Sequence, residues 1–393
     1  MMEWIFACSP PLSAPVQKAA RYRLHFCSPE IIRFQVSPDA IRLTLSTDDE
    51  SVWHEVSRKV ERVVSGVRDG FVPPEERLYM ERRHPSPAWS GAGVNLEQAG
   101  LIKKAGEGFY VTGPLIAGLV ERLDRILLDM ADVFGARAVG TPALIAPEVL
   151  SRVDYFRAFP HSLTFACHLP RDVDEIEAFS KQPFEADGSL APAASGAGAA
   201  VLSPAVCFHL YHFLEGTSLG QALESYTVRG RCFRYEAGAL AGLERLWDFT
   251  MREIVFVGEQ ADVMDARKRS MEWVTDLADR LGLVCRIESA ADPFFVGEFK
   301  QRTVFQAAFD LKYEWRADLD PAAADDLAVG SFNVHQTHFG KAFRIAAPSG
   351  EMAWTGCTAF GLERLALAVL RQHGLSPDGW PEILKSDLSV SIE

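Results

Sequence analysis

FRYEAGALAGLERLWDFTMREIVFVG runs from Phe233 to Gly258. An Arg-x-Glu pair opens it, small residues make a turn, and an aromatic-rich run with a second glutamate closes it. If the flanks pair as strands, Arg234 and Glu236 share one face, because side chains alternate along a strand. Arg234 then offers a planar fork of donors that matches a phosphate. Phe249, on the returning strand, offers a flat ring for a nucleobase. An ordinary amphipathic hairpin with a surface salt bridge fits the same residues, and isolated motifs often mislead.

A second stretch adds to the first. EMAWTGCTAFGLERLALAVLRQ, Glu351 to Gln372, reads as a small-residue strand entering a helix through Gly361. Glu363 and Arg364 fall on its first turn, where an arginine can reach an anion lying over a sheet. Gly356 and Gly361 would let a ligand approach the backbone closely. Plain helix–sheet packing with an exposed Glu–Arg pair is the alternative.

Composition narrows the classes. The chain has 393 residues, of which 48% are hydrophobic and 24% charged, enough for a large core and two or three domains. The formal net charge of -13 argues against broad binding to a phosphate backbone, which needs a basic surface. No apolar run is long enough to span a bilayer, so no membrane role is expected. The start, MMEWIFACSPPLSAP, lacks the basic residues of a signal peptide, and a cytoplasmic protein is expected. Seven scattered cysteines without a CxxC pair suggest reduced thiols.

Along the chain, residues 18–70 read as a small α+β unit. RYRLHF, IIRFQV and AIRLTL have short strand-like runs, and SVWHEVSRKVERVVSGV has helical spacing. Phe71 to Asn95 is a connector rich in Pro, Glu and Arg. GPLIAGLVERLDRILLDMADVFGA predicts a long helix ended by Gly135, and Pro142 and Pro147 bracket a short strand. The boundaries expected are an appendage and connector at 1–98 and a main domain at 99–393. Phe184–Ala200, small and featureless, is expected to be a flexible loop.

With these motifs in order, the chain resembles the class II aminoacyl-tRNA synthetases. FRYE through FTMREIVFVG is similar to motif 2, GCTAFGLERLALAVL to motif 3, and the long helix before Pro142 to motif 1, the dimer-forming element. Within the class it resembles the zinc-dependent seryl-tRNA synthetases of methanogens, and still more their truncated bacterial relatives, the amino acid:carrier-protein ligases. The resemblance covers roughly Leu101 to the C-terminus. It implies an α+β fold, an antiparallel sheet flanked by helices, here with a small N-terminal α+β appendage, assembled as a homodimer. It also implies that Arg234 holds the ATP α-phosphate and the amino acid carboxylate, Glu236 reads the adenine amino group, Phe249 stacks on the ring and Arg364 holds the γ-phosphate. Arg234 and Arg364 would be the catalytic residues, because fixed guanidinium groups stabilise the charge built up in phosphoryl transfer. Mg²⁺ would share that task.

The resemblance further implies a zinc ion held by Cys207, Glu253 and Cys357, with an open position for the amine of the substrate. Spacing alone does not reveal such a set, and buried structural thiols are the alternative; His209, His212 and Cys232 are nearby candidates. Ser331 and Asn333, in AVGSFNVHQTHFGKAFRI, and Asp292, in ADPFF, are implied substrate contacts. Where many relatives carry a magnesium-binding acid just before this serine, Gly330 stands here, and the nearest acid is Asp326. His335 and His338 read as structural histidines. Trp354 either narrows the amino acid pocket or packs in the core.

The acceptor separates the hypotheses. The AGALAG loop of motif 2 carries no cation for a tRNA end, and about 100 residues precede the main domain (motif 1 begins at Gly113). The expected function is ATP-dependent activation of a small amino acid (Gly, Ala or Ser) as the adenylate and its transfer to the phosphopantetheine thiol of a carrier protein, without tRNA. The thiol supplies the nucleophile, so the enzyme needs none. The alternatives are an atypical zinc-dependent seryl-tRNA synthetase and a non-catalytic nucleotide-binding paralogue. Carrier proteins are generally acidic, which makes Arg267–Lys268–Arg269 and Arg82–Arg83 candidate docking patches or solvated surface runs.

Overall fold

The computed structural model describes residues 3–68, 77–83, 88–181, 200–236, 240–290, 311–321 and 326–385. The expected loop 184–200 falls outside the described residues except for Ala200, and Asp292 lies outside them entirely.

The chain begins with a three-stranded antiparallel sheet, β1 (Glu3–Ala7), β2 (Ile31–Val36) and β3 (Ala40–Leu45), with β3 in the middle. Helices α1 (Ala14–Leu24) and α2 (Glu50–Arg68) accompany it. Ile41, Leu43 and Leu45 alternate onto one face, and Val56, Val60 and Val64, at helical spacing along α2, pack with them and with Leu24. RYRLHF is therefore not a strand. Its polar–apolar alternation is outweighed by the preceding APVQKAA, which places Pro15 in the first turn and carries helix formers, so the segment ends α1.

β4 (Leu78–Arg82) comes next, then a two-stranded hairpin of β5 (Ile102–Gly106) and β6 (Phe109–Thr112). Helix α3, Pro114–Val133, starts with proline in its first turn and stops before Gly135, whose φ is 58°, in the left-handed region glycine tolerates. β7 (Arg137–Val139) follows. β8 (Leu144–Ile145), β9 (Phe165–Ala166) and β10 (Ala200–Leu202) form a small separate sheet with β10 in the middle.

The main sheet has eight strands. β11 (Leu223–Phe233) and β12 (Asp248–Gly258) form the expected hairpin, paired from Leu223↔Gly258 to Phe233↔Asp248. β13 (Cys285–Ser289), β14 (Lys312–Asp318), β15 (Asp326–Gln336) and β16 (Trp354–Gly361) complete it in the order β4–β13–β14–β15–β16–β12–β11–β7. All neighbours are antiparallel except β7, which runs parallel to β11. This is the α+β architecture the motifs implied.

Both faces of the sheet's centre are covered. Odd and even residues of MREIVFVG therefore meet different cores. Ile254 and Phe256 join the helix side, packed with α3, with the helix Gln260–Arg280 and with the motif 3 helix Leu362–His373. Val255 and Val257 join a second core with the helix Cys207–Phe213 and with Phe339 and Phe343. On the helix side Arg252 makes two 2.7 Å bonds to the Asp124 carboxylate of α3, and both residues are buried. The apolar stripe of α3, including Leu119, Leu123 and Leu127, is buried by the chain itself. Among the described residues no helix is long and apolar enough to cross a membrane.

Candidate active site

The motif 2 residues meet where the β11–β12 hairpin opens. Cys232 pairs with Phe249 across the two strands, and Arg234, two residues on, follows the same face. Its guanidinium lies over the Phe249 ring, 5.5 Å from the ring centre, and its Nε donates to the Pro204 carbonyl at 2.9 Å. Burial disfavours its charge, yet Tyr155, Cys232, Glu236 and Glu253 around it hold it above the usual value. Glu236 is ion-paired with Arg245. Burial works against the Glu236 carboxylate too, but Arg245, Arg364 and Arg234 keep its pKa below the usual range.

Motif 3 closes the cluster. Arg364 Nε donates to the Glu244 carbonyl at 2.8 Å, and Nη1 to the Ala328 carbonyl at 3.3 Å. Burial lowers its pKa to about 10, so it stays cationic at neutral pH. Glu363 is not an exposed partner of Arg364. It is buried and takes the Thr250 amide at 2.9 Å and the Thr250 hydroxyl at 2.8 Å. That grip on the next residue fixes the backbone that carries Phe249. Three cations, one carboxylate and one ring thus share a water-poor corner, where electrostatic interactions are strong. A recess of about 10 Å³ lined by Leu246, Phe249, Gly361 and Arg364 remains, room for about one water. A larger cleft of about 340 Å³ lies behind the hairpin, between Asn95–Leu96, Leu243–Glu244 and Arg371.

The second cluster lies on the same face, deeper in the sheet. Glu253 pairs with Ala359, and Val255 with Cys357, so Glu253 and Cys357 are diagonal neighbours. Cys207 opens the short helix packed over them. The Cys207 thiol touches both Cys357 and Glu253. All three residues are buried. The Cys357 contact and burial push the Cys207 thiol well up, and burial raises the Glu253 carboxyl. Glu253 Oε2 meets no hydrogen-bond partner. Two thiols and a carboxylate with an orphaned oxygen are donor types that open zinc sites use. They converge without a finished cage: among the described residues no group of three or more His, Cys, Asp or Glu is arranged to hold a metal.

The other implied contacts fall around these two clusters. Asn333 pairs with Cys357 across β15–β16, and its Nδ2 lies 3.0 Å from Ser331 Oγ and 3.5 Å from Cys357 Sγ. His335 Nε2 is 3.9 Å from the same sulfur. Of the nearby alternatives, Cys232 is buried against the Met251 sulfur, and His212 faces Glu215 at the surface. Trp354 has the opposite parity from Cys357 and packs on the helix side, so it is a core residue and does not narrow the pocket. Gly356 also faces that side. A Cβ there would lie 2.8 Å from the Asn333 carbonyl and 3.1 Å from Val263, so tight packing, not ligand approach, requires glycine.

No protein-family model matches the chain. Amino acid–acyl-carrier-protein ligase 1 of Bradyrhizobium diazoefficiens is 35% identical over 292 residues, 72% of this chain and 86% of that protein. The chain belongs to the amino acid–acyl-carrier-protein ligase family. Ligase 2 of the same organism is 33% identical over 72% of this chain and 84% of that protein. The type-2 serine–tRNA ligase of Methanocaldococcus jannaschii is 29% identical over 74% of this chain, and the match spans 58% of that longer protein. Among solved structures, M. kandleri SerRS in complex with A. aeolicus tRNASec superimposes with a TM-score of 0.69 at 24% identity, covering 98% of this chain and 76% of that one. This likeness shows a seryl-tRNA synthetase fold.

The acids around Ser331 are placed by strand register rather than by order in the sequence. Asp326 is not the acid facing Ser331. It is locked between Arg286 and Arg316, the latter at 2.6 Å. Glu314 is the residue paired with Ser331 across β14–β15, and its charge reaches Arg364. Only the strand register, fixed by Trp315 and Phe332 in the core, reveals this. The basic docking patches also change. Arg267 is buried, with its guanidinium 5.4 Å from the Tyr313 ring. Arg82 is pinned to Asp279 at 2.7 Å, while Lys268 and Arg269 face Glu272 and Asp265. Arg83, Lys268 and Arg269 stay exposed, each beside an acid close in sequence, so each run keeps only part of its charge at the surface.

Proposed function

We propose that the chain activates a small amino acid with ATP and passes it to the phosphopantetheine thiol of a carrier protein. The observation that carries the reading is one face of one sheet holding both clusters, with Arg234 close enough to Glu253 to feel its charge. A substrate carboxylate near Arg234 would sit between a phosphate corner and a donor set suited to an amine.

In this reading ATP lies over Phe249, with Glu236 at the adenine edge and Arg364 at the γ-phosphate. The amino acid carboxylate attacks the α-phosphorus, and pyrophosphate leaves with the electron pair of the broken P–O bond. Arg234, tethered by the Pro204 carbonyl, would sit beside the phosphoryl oxygens that gain charge and stabilise them. In the second half the carrier thiolate attacks the acyl carbon and AMP leaves. Zinc, held by Cys207, Glu253 and Cys357, would supply an open position for the substrate amine. Ser331 and Asn333 would line the side-chain pocket, with Asp292 a further contact. Mg²⁺ would neutralise the phosphates; Glu314, facing Ser331, is the acid we assign to its neighbourhood.

The buried sheet and the enclosed donors support a small substrate such as Gly, Ala or Ser. Seven free cysteines support a reducing compartment such as the cytoplasm. We infer a homodimer through the outer side of α3 and β7, the strand that ends the main sheet among the described residues. Two assays on one preparation test the function. With labelled amino acid and ATP, label should pass to a phosphopantetheinylated carrier and not to total tRNA. Efficient tRNA charging would favour a seryl-tRNA synthetase, and no pyrophosphate exchange at all would favour a non-catalytic paralogue.

A further inference from the structure

The N-terminal unit is not used by any step above, yet it touches the nucleotide corner. Tyr22, on α1, makes a 2.8 Å hydrogen bond from its hydroxyl to His161 Nε2. His161 lies in the short turn Pro160–Ser162 and sits among rings from both sides: Tyr22 at 5.9 Å, Phe26 at 4.8 Å and Phe159 at 6.4 Å between ring centres. The other side of the same turn is bonded to motif 2. The Ser162 carbonyl accepts the Tyr235 amide at 3.1 Å, and Tyr235 stands between Arg234 and Glu236. Thr164 Oγ1 accepts the Trp247 indole N–H at 2.8 Å, and Trp247 packs edge-on against Tyr235 at 4.7 Å. Tyr155 lies 3.3 Å from the Ser162 hydroxyl. One segment, 155–164, is thus hydrogen-bonded to α1 on one side and, on the other, to both arms of the motif 2 hairpin just beyond the ends of β11 and β12.

We propose that the N-terminal unit acts within its own chain on the nucleotide site, with Tyr22 a positioning residue that holds, through His161, the 155–164 segment against the motif 2 hairpin. The proposal rests on reading that hairpin as the ATP site. The geometry leaves little slack. The Tyr235 amide is a fixed anchor, so a shift of Ser162 is a shift of the residues on either side of Tyr235. Those are the two assigned to phosphate and adenine. A surface domain tethered only by a linker would show no such bonded path; an acceptor-docking arm would not place its helix against the adenine side.

The test uses the full chain with Mg²⁺–ATP and compares Tyr22→Phe, His161→Leu and His161→Gln. Tyr22→Phe and His161→Leu should each raise the KM for ATP in pyrophosphate exchange about five-fold, the size expected from one lost hydrogen bond. The KM for the amino acid and kcat should stay near wild type, and so should the melting temperature. The Tyr22→Phe/His161→Leu double variant should be no worse than either single, since both remove the same bond. His161→Gln, whose amide can still meet the hydroxyl, should recover most of the affinity. Equilibrium titration with a fluorescent ATP analogue separates the two levels of the argument. If the wild type binds no nucleotide, the ATP-site reading fails and the proposal falls with it. If the wild type binds and Tyr22→Phe binds equally well, or loses kcat, amino acid affinity and stability together, the positioning role is wrong.

Discussion

Arg234 does two things at once in this structure: it sits over the Phe249 ring and holds the Pro204 carbonyl. A nucleotide base stacked on that ring must share the space with the guanidinium. Arg234→Ala should therefore cut pyrophosphate exchange by roughly 10²–10³, and Arg234→Lys should recover little, since an ammonium cannot form the planar fork. Cys357→Ser should lower the zinc content of purified protein, measured by elemental analysis, and abolish exchange; full zinc and full activity would show that the donor set is misassigned. The arginines, Glu236 and Phe249 were legible because they lie within two short motifs. Cys207, Glu253 and Cys357 were not legible from spacing, because two strands and a helix must fold before they meet. Only the resemblance named them. The same folding step explains why Trp354 was ambiguous: its distance from Cys357 in sequence is small, but an odd separation along a strand sends the two side chains to opposite faces.

Elements carry a second layer of information, and here the reading was uneven. The hairpin and α3 are plain from pattern, whereas RYRLHF reads as strand-like because six residues are too few to separate period two from period 3.6. The Pro160–Ser162 turn gave no signal at all, since its importance comes from what packs on both sides. Its histidine offers a pH test. Burial lowers His161 from 6.5 to about 4, with Glu236 opposing and Arg23 assisting. The unfolded ring therefore binds a proton first as pH falls, so the unfolded state gains. This contribution to stability is complete above pH 6.5 and is lost as pH falls towards 4. Denaturation midpoints measured across that window should fall less steeply for His161→Gln. His25, His209 and His373 are lowered by burial in the same direction, so the slope should flatten without vanishing. A different element test concerns α3. Asp124→Ala leaves Arg252 buried and charged without its bidentate partner, and should cost about 3–5 kcal/mol in urea denaturation. Substituting exposed Glu61 of α2 in the same way should cost little.

For the whole molecule, the motifs fixed the class of the fold, but the assembly depends on surfaces that no motif describes. The apolar stripe of α3 is used inside the chain, so the proposed dimer would use its remaining charged side and the outer edge of β7, the end strand among the described residues. Sedimentation at micromolar concentration should give twice the chain mass; a stable monomer would remove that assembly. The basic runs at Arg82 and Arg267 looked like surface charge in sequence, yet the fold turns one arginine inward and ties the other to Asp279. The opposite edge of the main sheet has a consequence of its own. β4 comes from the stretch before residue 99, but it pairs with β13, from Cys285↔Arg82 to Glu288↔Leu78. It works as a guard rail, occupying amide and carbonyl groups that would otherwise invite a foreign strand. Trimming the chain to begin at residue 99 would leave both nucleotide arginines in place but strip that guard. The shortened protein should be recovered chiefly in inclusion bodies or as light-scattering oligomers, and supplying residues 77–83 as a separate peptide should restore part of its solubility.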